Sequence, residues 1–372
     1  MQRPTIAEID LSAVLYNLSQ VRERIGRDRY ILAVVKADAY GHGALNVSKT
    51  LISGGVNMLG VALIEEGVEL RESGIDIPIL VMGGIFKDHT EEIVRYNLTP
   101  AVSSRDTIMG LADALKKEGR KSIRIHIKID TGMGRLGFSH KEAINTIKWI
   151  YEQQGISIEG IMTHFADADI KNKEYAQMQI KRFRTMLDSI KSLGINIPLC
   201  HTANSAAIID YEDAFFNMVR PGIMLYGYLP SDRMAGKIDI RSVMSLKTKI
   251  VHLKKVSPCT SISYGRTFTT KRESIIATLP VGYADGYNRL LSNCGEVIIK
   301  GKRFPVIGRV CMDNTMIDVT GYKDISVGDD VILIGRDGEE VITASDIAGK
   351  IGTIPYEVLC NISKRVPRIY LP

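Results

Sequence analysis

A chain of 372 residues, 45% apolar and 24% charged, exceeds the size at which one hydrophobic core usually stops growing, and predicts one large domain with a smaller one. No apolar stretch approaches the length that spans a bilayer. The formal charge of +6 is spread along the chain without interleaved aromatics, which argues against nucleic-acid binding.

Residues 1–10 lack the basic and apolar regions of a secretory leader and predict a cytoplasmic protein. Cys200, Cys259, Cys294, Cys311 and Cys360 form no C-x-x-C pair, so they read as reduced thiols with neither a disulfide framework nor a metal site. Ile6 to Ile9 reads as a strand and Leu11 to Ile25 as an amphipathic helix, with Leu11, Val14, Leu15, Leu18, Val21 and Ile25 on one face.

From about residue 30 to 230, apolar runs alternate with helical stretches. The runs are Tyr30 to Val35, Met58 to Leu63, Pro78 to Met82, Leu98 to Val102, Ile123 to Ile129, Ile158 to Met162, Ile197 to His201 and Phe216 to Val219. Between them, 104–118, 140–153 and 174–193 carry apolar residues at helical intervals. Eight such repeats predict a (β/α)8 TIM-like barrel, because parallel strands need helical crossovers and eight strands close the sheet.

Beyond residue 236 the pattern shifts to short alternating runs: Lys247 to Val256, Ser274 to Leu279, Glu296 to Lys300, Met316 to Val319 and Asp330 to Ile334, with one helix near Ala344 to Ile351. A mainly β C-terminal domain is expected. The boundaries predicted are 11–236 for the barrel and 237–372 for the β domain, with the strand in 1–10 joining the latter.

Barrel active sites are built at the carboxyl ends of the strands. The polar residues there are Lys36, Asp130, Arg135, His164, Asn204, Ser205, Arg220 and Gly222. Lys36 places an amine at the mouth of a buried strand, where it could be desolvated and react as a nucleophile. Ile123 to Ile129 alternates, so Arg124, His126 and Lys128 should all face inward, and cations buried there demand compensation. Gly132 to Gly137 fits G-x-G-x-x-G, but Ser139 and Glu142 resemble a capping box that starts the helix too late for a dinucleotide site; the loop reads instead as presenting Arg135. Ser205 at a helix start and the Arg220-Pro-Gly222 turn offer a hydroxyl and N–H groups to a phosphate.

Together these segments resemble the alanine racemase family. Ala33-Val-Val-Lys-Ala-Asp-Ala-Tyr-Gly-His-Gly43 is similar to that family's cofactor-lysine motif. Asp130-Thr-Gly-Met-Gly-Arg135, Thr163-His-Phe-Ala166, Ala203-Asn-Ser205, Arg220-Pro-Gly222, Ser263-Tyr-Gly265, Val281-Gly-Tyr-Ala-Asp-Gly286 and Cys311-Met-Asp313 follow in the family's order. The resemblance implies a pyridoxal 5'-phosphate (PLP) enzyme that interconverts L- and D-alanine for the cell wall, acting as a homodimer in which each β domain completes the other subunit's site.

By the same resemblance, Lys36 holds the cofactor and acts as one acid-base group, and Tyr264 of the other subunit acts as the second. Tyr40, Ser205, Gly222, Ile223 and Tyr356 hold the phosphate, Asn204 is a further cofactor-binding residue, Arg220 faces the pyridine nitrogen with His164 behind it, and Arg135 and the Met312 backbone meet the substrate carboxylate. Arg135 also lies near the cofactor's phenolic oxygen. Lys128 matches the lysine that many members carbamylate; a carbamate there would pair with Arg135. Asp169, Tyr283, Arg289, Arg309 and Asp313 match the entrance and its surroundings. Alternatives on this scaffold are a racemase of serine, a barrel-type decarboxylase, or a PLP-binding protein without turnover. The β domain carrying Tyr264 argues against the last.

Overall fold

The eight apolar runs form parallel strands in a computed structural model, which describes residues 3–372. They are Tyr30–Val34, Met58–Val61, Ile79–Val81, Thr99–Val102, Ile123–Asp130, Ile156–Met162, Leu199–His201 and Met218–Val219. Each pairs in parallel with the next, and Met218–Val219 pairs with Tyr30–Val34, which closes the barrel. The strands are short and nearly all buried because helices cover them outside and side chains fill them inside.

The helices between them begin where the sequence supplies caps. Arg105–Lys117 starts after Ser104, whose hydroxyl accepts from the Thr107 N–H at 3.2 Å. The start expected at Ser139 is displaced. Phe138–Ser139 pairs with Ile123–Asp130, the Ser139 carbonyl accepts from the Glu142 N–H at 3.0 Å, and that turn delays the helix to Ala143–Tyr151. Arg124 also departs from expectation: it sits near the start of its strand, reaches solvent and pairs with Glu159 at 2.9 Å. Alternation along the strand was right, but its first inward position lies at the rim.

Contacts divide the chain into two units, Val14–Ala39 with Ala44–Ile240, and the N-terminal residues to Ala13 with Tyr40–Gly43 and Arg241–Pro372. In the second unit Ile6–Asp10 pairs antiparallel with Met244–Lys249 and parallel with Arg368–Leu371. Asp330–Asp337, Glu296–Ile299, Lys302–Pro305 and Glu340–Ile342 extend this into a seven-stranded sheet. A three-stranded sheet joins His252–Val256, Ser274–Leu279 and Thr315–Asp318, and Ser261–Ile262 pairs with Phe268–Thr269. The run expected over Lys247 to Val256 is two strands broken at Ile250 and Val251. A second helix, Pro355–Cys360, joins the expected Ala344–Ile351; its N-terminal proline lacks the N–H that a first helical residue does not need.

Candidate active site

The chain does something uncommon directly after its first barrel strand. From Lys36 to Gly41 it makes a helical turn of the wrong hand: φ is +52° to +54° at Ala37, Asp38, Ala39 and Tyr40, and +82° at Gly41. For L-residues this costs roughly 1–2 kcal/mol each, so other contacts must impose it. Glu66 is one. Its Oε1 accepts from the Ala37 N–H at 2.5 Å while its Oε2 accepts from Ala62 and Leu63 at 2.8 and 3.1 Å, so one carboxylate both holds the turn and caps the helix Ile64–Glu72. Asp38 Oδ1 accepts from Ala44 N–H at 2.7 Å and closes the other end. At Gly41 any side chain would collide with the Leu359 carbonyl.

Across the barrel, Arg220 is 3% exposed. Its NH2 donates to the Thr163 and Thr202 carbonyls at 2.8 and 2.9 Å and lies 3.4 Å from His164 Nδ1, while NH1 lies 3.0 Å from His201 Nδ1. A guanidinium can only donate, so His201 Nδ1 is an acceptor and the proton of that ring is on Nε2. His201 Nε2 is 2.8 Å from His126 Nδ1, and His126 Nε2 faces Glu159 at 3.4 Å. The donor sense therefore runs one way, from Arg220 through two neutral imidazoles to a carboxylate.

Burial, with the charge of Arg220, lowers the pKa of His201 well below the ordinary histidine value; burial also lowers that of His126 despite Glu159. Burial pushes Glu159 up, but its bond to His126 and the charge of Arg124 outweigh it, and the carboxyl lies below its usual value.

Lys128, 6% exposed, donates to the Met82 carbonyl at 3.0 Å. Burial, then the charges of Arg135, Arg220 and Lys36, pull its pKa down to about 8. His164 is lowered well below its usual value by burial and by Arg220, Arg135, Lys128 and Lys36. Burial alone brings Arg220 down to about 9. No carboxylate among the described residues offsets these shifts at Lys128, His164 or Arg220. Four cations thus converge at the carboxyl ends of the strands, a donor set that asks for an anionic ligand.

Nearby, Asn204 caps the short helix Ser205–Asp210 by accepting from Ala207 N–H at 3.0 Å. The buried Ser205 Oγ accepts from the Gly222 N–H at 2.9 Å, which leaves its own proton to donate elsewhere, and Ile223 opens the turn that follows. Hydroxyl, helix start and turn are the parts of a phosphate cradle. The residues of this unit therefore fit PLP, whose phosphate and phenolate are both anionic. Asp130 does not join the cations; it accepts from the Gly132 and Gly134 N–H groups and shapes the loop that presents the exposed Arg135. Asp169 lies half-buried in the same unit, its carbonyl accepting from Arg233 at 2.6 Å.

The β unit holds the remaining residues. Tyr40 and Tyr356 have ring centroids 6.0 Å apart. Tyr264 is 72% exposed, Met312 52% and Tyr283 42%. Tyr283 N–H donates to the Cys311 carbonyl at 3.0 Å, the Arg309 guanidinium lies against Gly265, Arg289 is exposed, and Asp313 pairs with Arg365 at 2.7 Å. Sequence reasoning missed Glu66, His201 and Glu159. His201 ended an apolar run and could have been noticed there; Glu66 and Glu159 carried no local signal.

The alanine racemase N-terminal domain matches residues 9–230 and the alanine racemase C-terminal domain matches residues 243–370. The chain is 50% identical to the alanine racemase of Halothermothrix orenii over 99% of its own length and 97% of that protein's, and 47% identical to the alanine racemase of Methanococcus maripaludis over the whole of both. Among solved structures it is similar to the alanine racemase of Clostridium difficile 630, with a TM-score of 0.96 and 43% identity over 100% of this chain and 96% of that one. It is also similar to the alanine racemase of Bacillus anthracis with bound L-Ala-P, with a TM-score of 0.94 and 37% identity over 100% and 96%. Among the described residues no helix is long and apolar enough to cross a membrane.

Proposed function

Because the chain belongs to the alanine racemase family, we propose that it interconverts L- and D-alanine with PLP, using Lys36 and Tyr264 as its two acid-base groups. The observation that carries this reading is the convergence of Lys36, Lys128, Arg135 and Arg220, with no carboxylate offsetting the shifts of Lys128 and Arg220, beside the cradle of Asn204, Ser205, Gly222 and Ile223. When bound, PLP withdraws electrons from the substrate and weakens its Cα–H bond.

Lys36 would bind the cofactor through its ε-amine, and Tyr40, Ser205, Gly222, Ile223 and Tyr356 would hold its phosphate. Racemisation needs one proton taken from Cα on one face and another returned on the opposite face. Lys36 serves one face and Tyr264 the other.

Arg220 has a defined task. It can donate toward the pyridine nitrogen and cannot accept, so it supplies no full proton there and restrains electron withdrawal into the ring. The two neutral imidazoles and Glu159 support that orientation. Arg135 and the Met312 N–H orient the substrate carboxylate. Lys128 is a candidate for carbamylation: its lowered pKa leaves free amine to attack CO2, forming an N–C bond and releasing a proton to solvent. The resulting anion pairs with Arg135.

The exposure of Tyr264 and Met312 supports a homodimer in which each β unit completes the other subunit's barrel, with Asp169, Tyr283, Arg289, Arg309 and Asp313 about the entrance. The enzyme would work in the cytoplasm and supply D-alanine for the cell wall; its five free cysteines agree with a reducing compartment.

The test is to load the purified chain with PLP and follow the optical rotation of L-alanine, with L-serine in parallel. Rotation should vanish with alanine and persist with serine. Equal loss with serine would widen the substrate, and bound PLP with no loss for either would overturn the assignment.

A further inference from the structure

Ser263, the residue before Tyr264, has φ +65° and ψ −177°, a region that glycine alone occupies without strain. It follows the strand Ser261–Ile262, whose Ile262 packs with Ile276 and Ile307 in an apolar cluster. Something must hold a side-chain-bearing residue in that conformation. Its Oγ donates to the Arg309 carbonyl at 2.6 Å and lies 3.5 Å from Cys311 Sγ. Gly308 makes that approach possible: a methyl group there would stand 2.7 Å from Ser263 Cβ and 2.9 Å from the Ile262 carbonyl.

The segment that receives this bond is itself fixed. Gly308 N–H donates to Asn293 Oδ1 at 2.6 Å, Val310 N–H to Ser292 Oγ at 3.0 Å and Cys311 N–H to the Asn314 carbonyl at 2.9 Å. The Cys311 and Met312 carbonyls accept from the Tyr283 and Ala284 N–H groups at 3.0 and 3.1 Å. One hydroxyl thus ties the turn carrying Tyr264 to the segment carrying Met312.

We infer that Ser263 is a positioning residue: its bond to Arg309 sets the Tyr264 phenol at a fixed offset from the Met312 main chain, and the strained backbone is retained for that offset. In the proposed reaction, on which this inference rests, those two groups meet the same substrate at Cα and at its carboxylate. Their separation decides whether the phenol reaches the proton.

Two variants of the PLP-loaded chain separate positioning from structural support. Ser263→Gly removes the hydroxyl and the strain together; Ser263→Ala removes the hydroxyl and keeps the strain. Both should lose roughly 10- to 100-fold in kcat with little change in KM, as small misplacements of reacting groups do. The glycine variant should nevertheless melt at or above the wild-type Tm, and the alanine variant below it. Because Tyr264 serves one face, the Cα-deuterium isotope effect should rise for one alanine enantiomer only. A glycine variant as fast as wild type, or a rise equal for both enantiomers, overturns the inference.

Crystal structures of the variants give an arm independent of activity. The Tyr264 ring should be displaced from its wild-type place relative to Met312. An unmoved ring overturns the positioning role whether or not the chain racemises alanine, whereas a wild-type chain inactive on alanine overturns the proposed reaction and leaves this arm to decide.

Discussion

The two units treat polar groups in opposite ways. The barrel takes His126, His201, Lys128 and Arg220 out of water and orders them through carbonyls and imidazoles, with a carboxylate, Glu159, only at the far end of the histidine chain. The β unit leaves Tyr264, Met312 and Tyr283 in solvent and satisfies its cations with acids, as Arg365 does with Asp313 and Arg3 with Asp285. Burial without a counter-charge leaves the barrel cluster electrostatically incomplete, and in the proposed dimer the exposed residues of the β unit would be covered by the other subunit. The strain follows the same division of labour: the left-handed turn after Lys36 and the extended positive-φ Ser263 before Tyr264 sit directly beside the two residues proposed to move protons.

The largest effects should come from those two residues. Tyr264→Phe should cut kcat on the order of 10³-fold while the chain keeps its PLP absorbance, whereas Lys36→Ala should lose both activity and the bound chromophore band. If Tyr264→Phe keeps its rate, the β unit supplies no acid-base group.

Stability should show the contrast next. Arg220→Met orphans the Thr163 and Thr202 carbonyls and His201 Nδ1 in the barrel, and should cost about 2–5 kcal/mol in denaturant unfolding. Arg289→Met, on the exposed side of the β unit, should stay within about 0.5 kcal/mol. Equal costs would erase the distinction between the units.

Lys128 sharpens it through pH. Its folded pKa near 8 lies below the ordinary lysine value, so over that window the unfolded chain binds more protons than the folded one. Stability should therefore rise as pH climbs through about 8 toward that ordinary value, and the penalty of burying the cation is fully present below it. Unfolding in CO2-free buffer should show this rise in the wild-type chain and a smaller one, beginning at higher pH, in Lys128→Met, because Arg220, brought down to about 9, adds a rise of the same sign. An identical profile in the variant would show that Lys128 is not the group responsible. The smallest effect is expected at Asn204→Ala, where loss of the helix cap should cost about 1 kcal/mol, read as a lowered Tm.

Much of this was legible in the residues. All eight barrel strands were marked as apolar runs because most of their positions are buried, and the barrel's candidate residues Lys36, His164 and Arg220 lie just past the ends of runs. What stayed hidden was set by tertiary context. Lys36-Ala-Asp-Ala-Tyr40 has the composition of an ordinary right-handed turn; its handedness is imposed by Glu66 and by the close approach at Gly41. The chain from Arg220 to Glu159 joins residues from three strands and the turn after a fourth, and no local spacing relates them. Lys302–Pro305, Glu340–Ile342 and Arg368–Leu371 are short strands, with polar or half-buried positions that give little alternation to read. Arg124 and Ser139 were misread for one reason: a correct local pattern was extended to an element's end, where solvent and turns take over.

In the proposed enzyme a barrel from one subunit and a β unit from another make one site. Mixing inactive Lys36→Ala with inactive Tyr264→Ala chains, with subunit exchange verified, tests it directly. Hybrid dimers then carry one site with both residues intact, and activity should return to roughly a quarter of the wild-type value for random pairing. No return of activity in verified hybrids would contradict it and place Lys36 and Tyr264 of each site on a single chain.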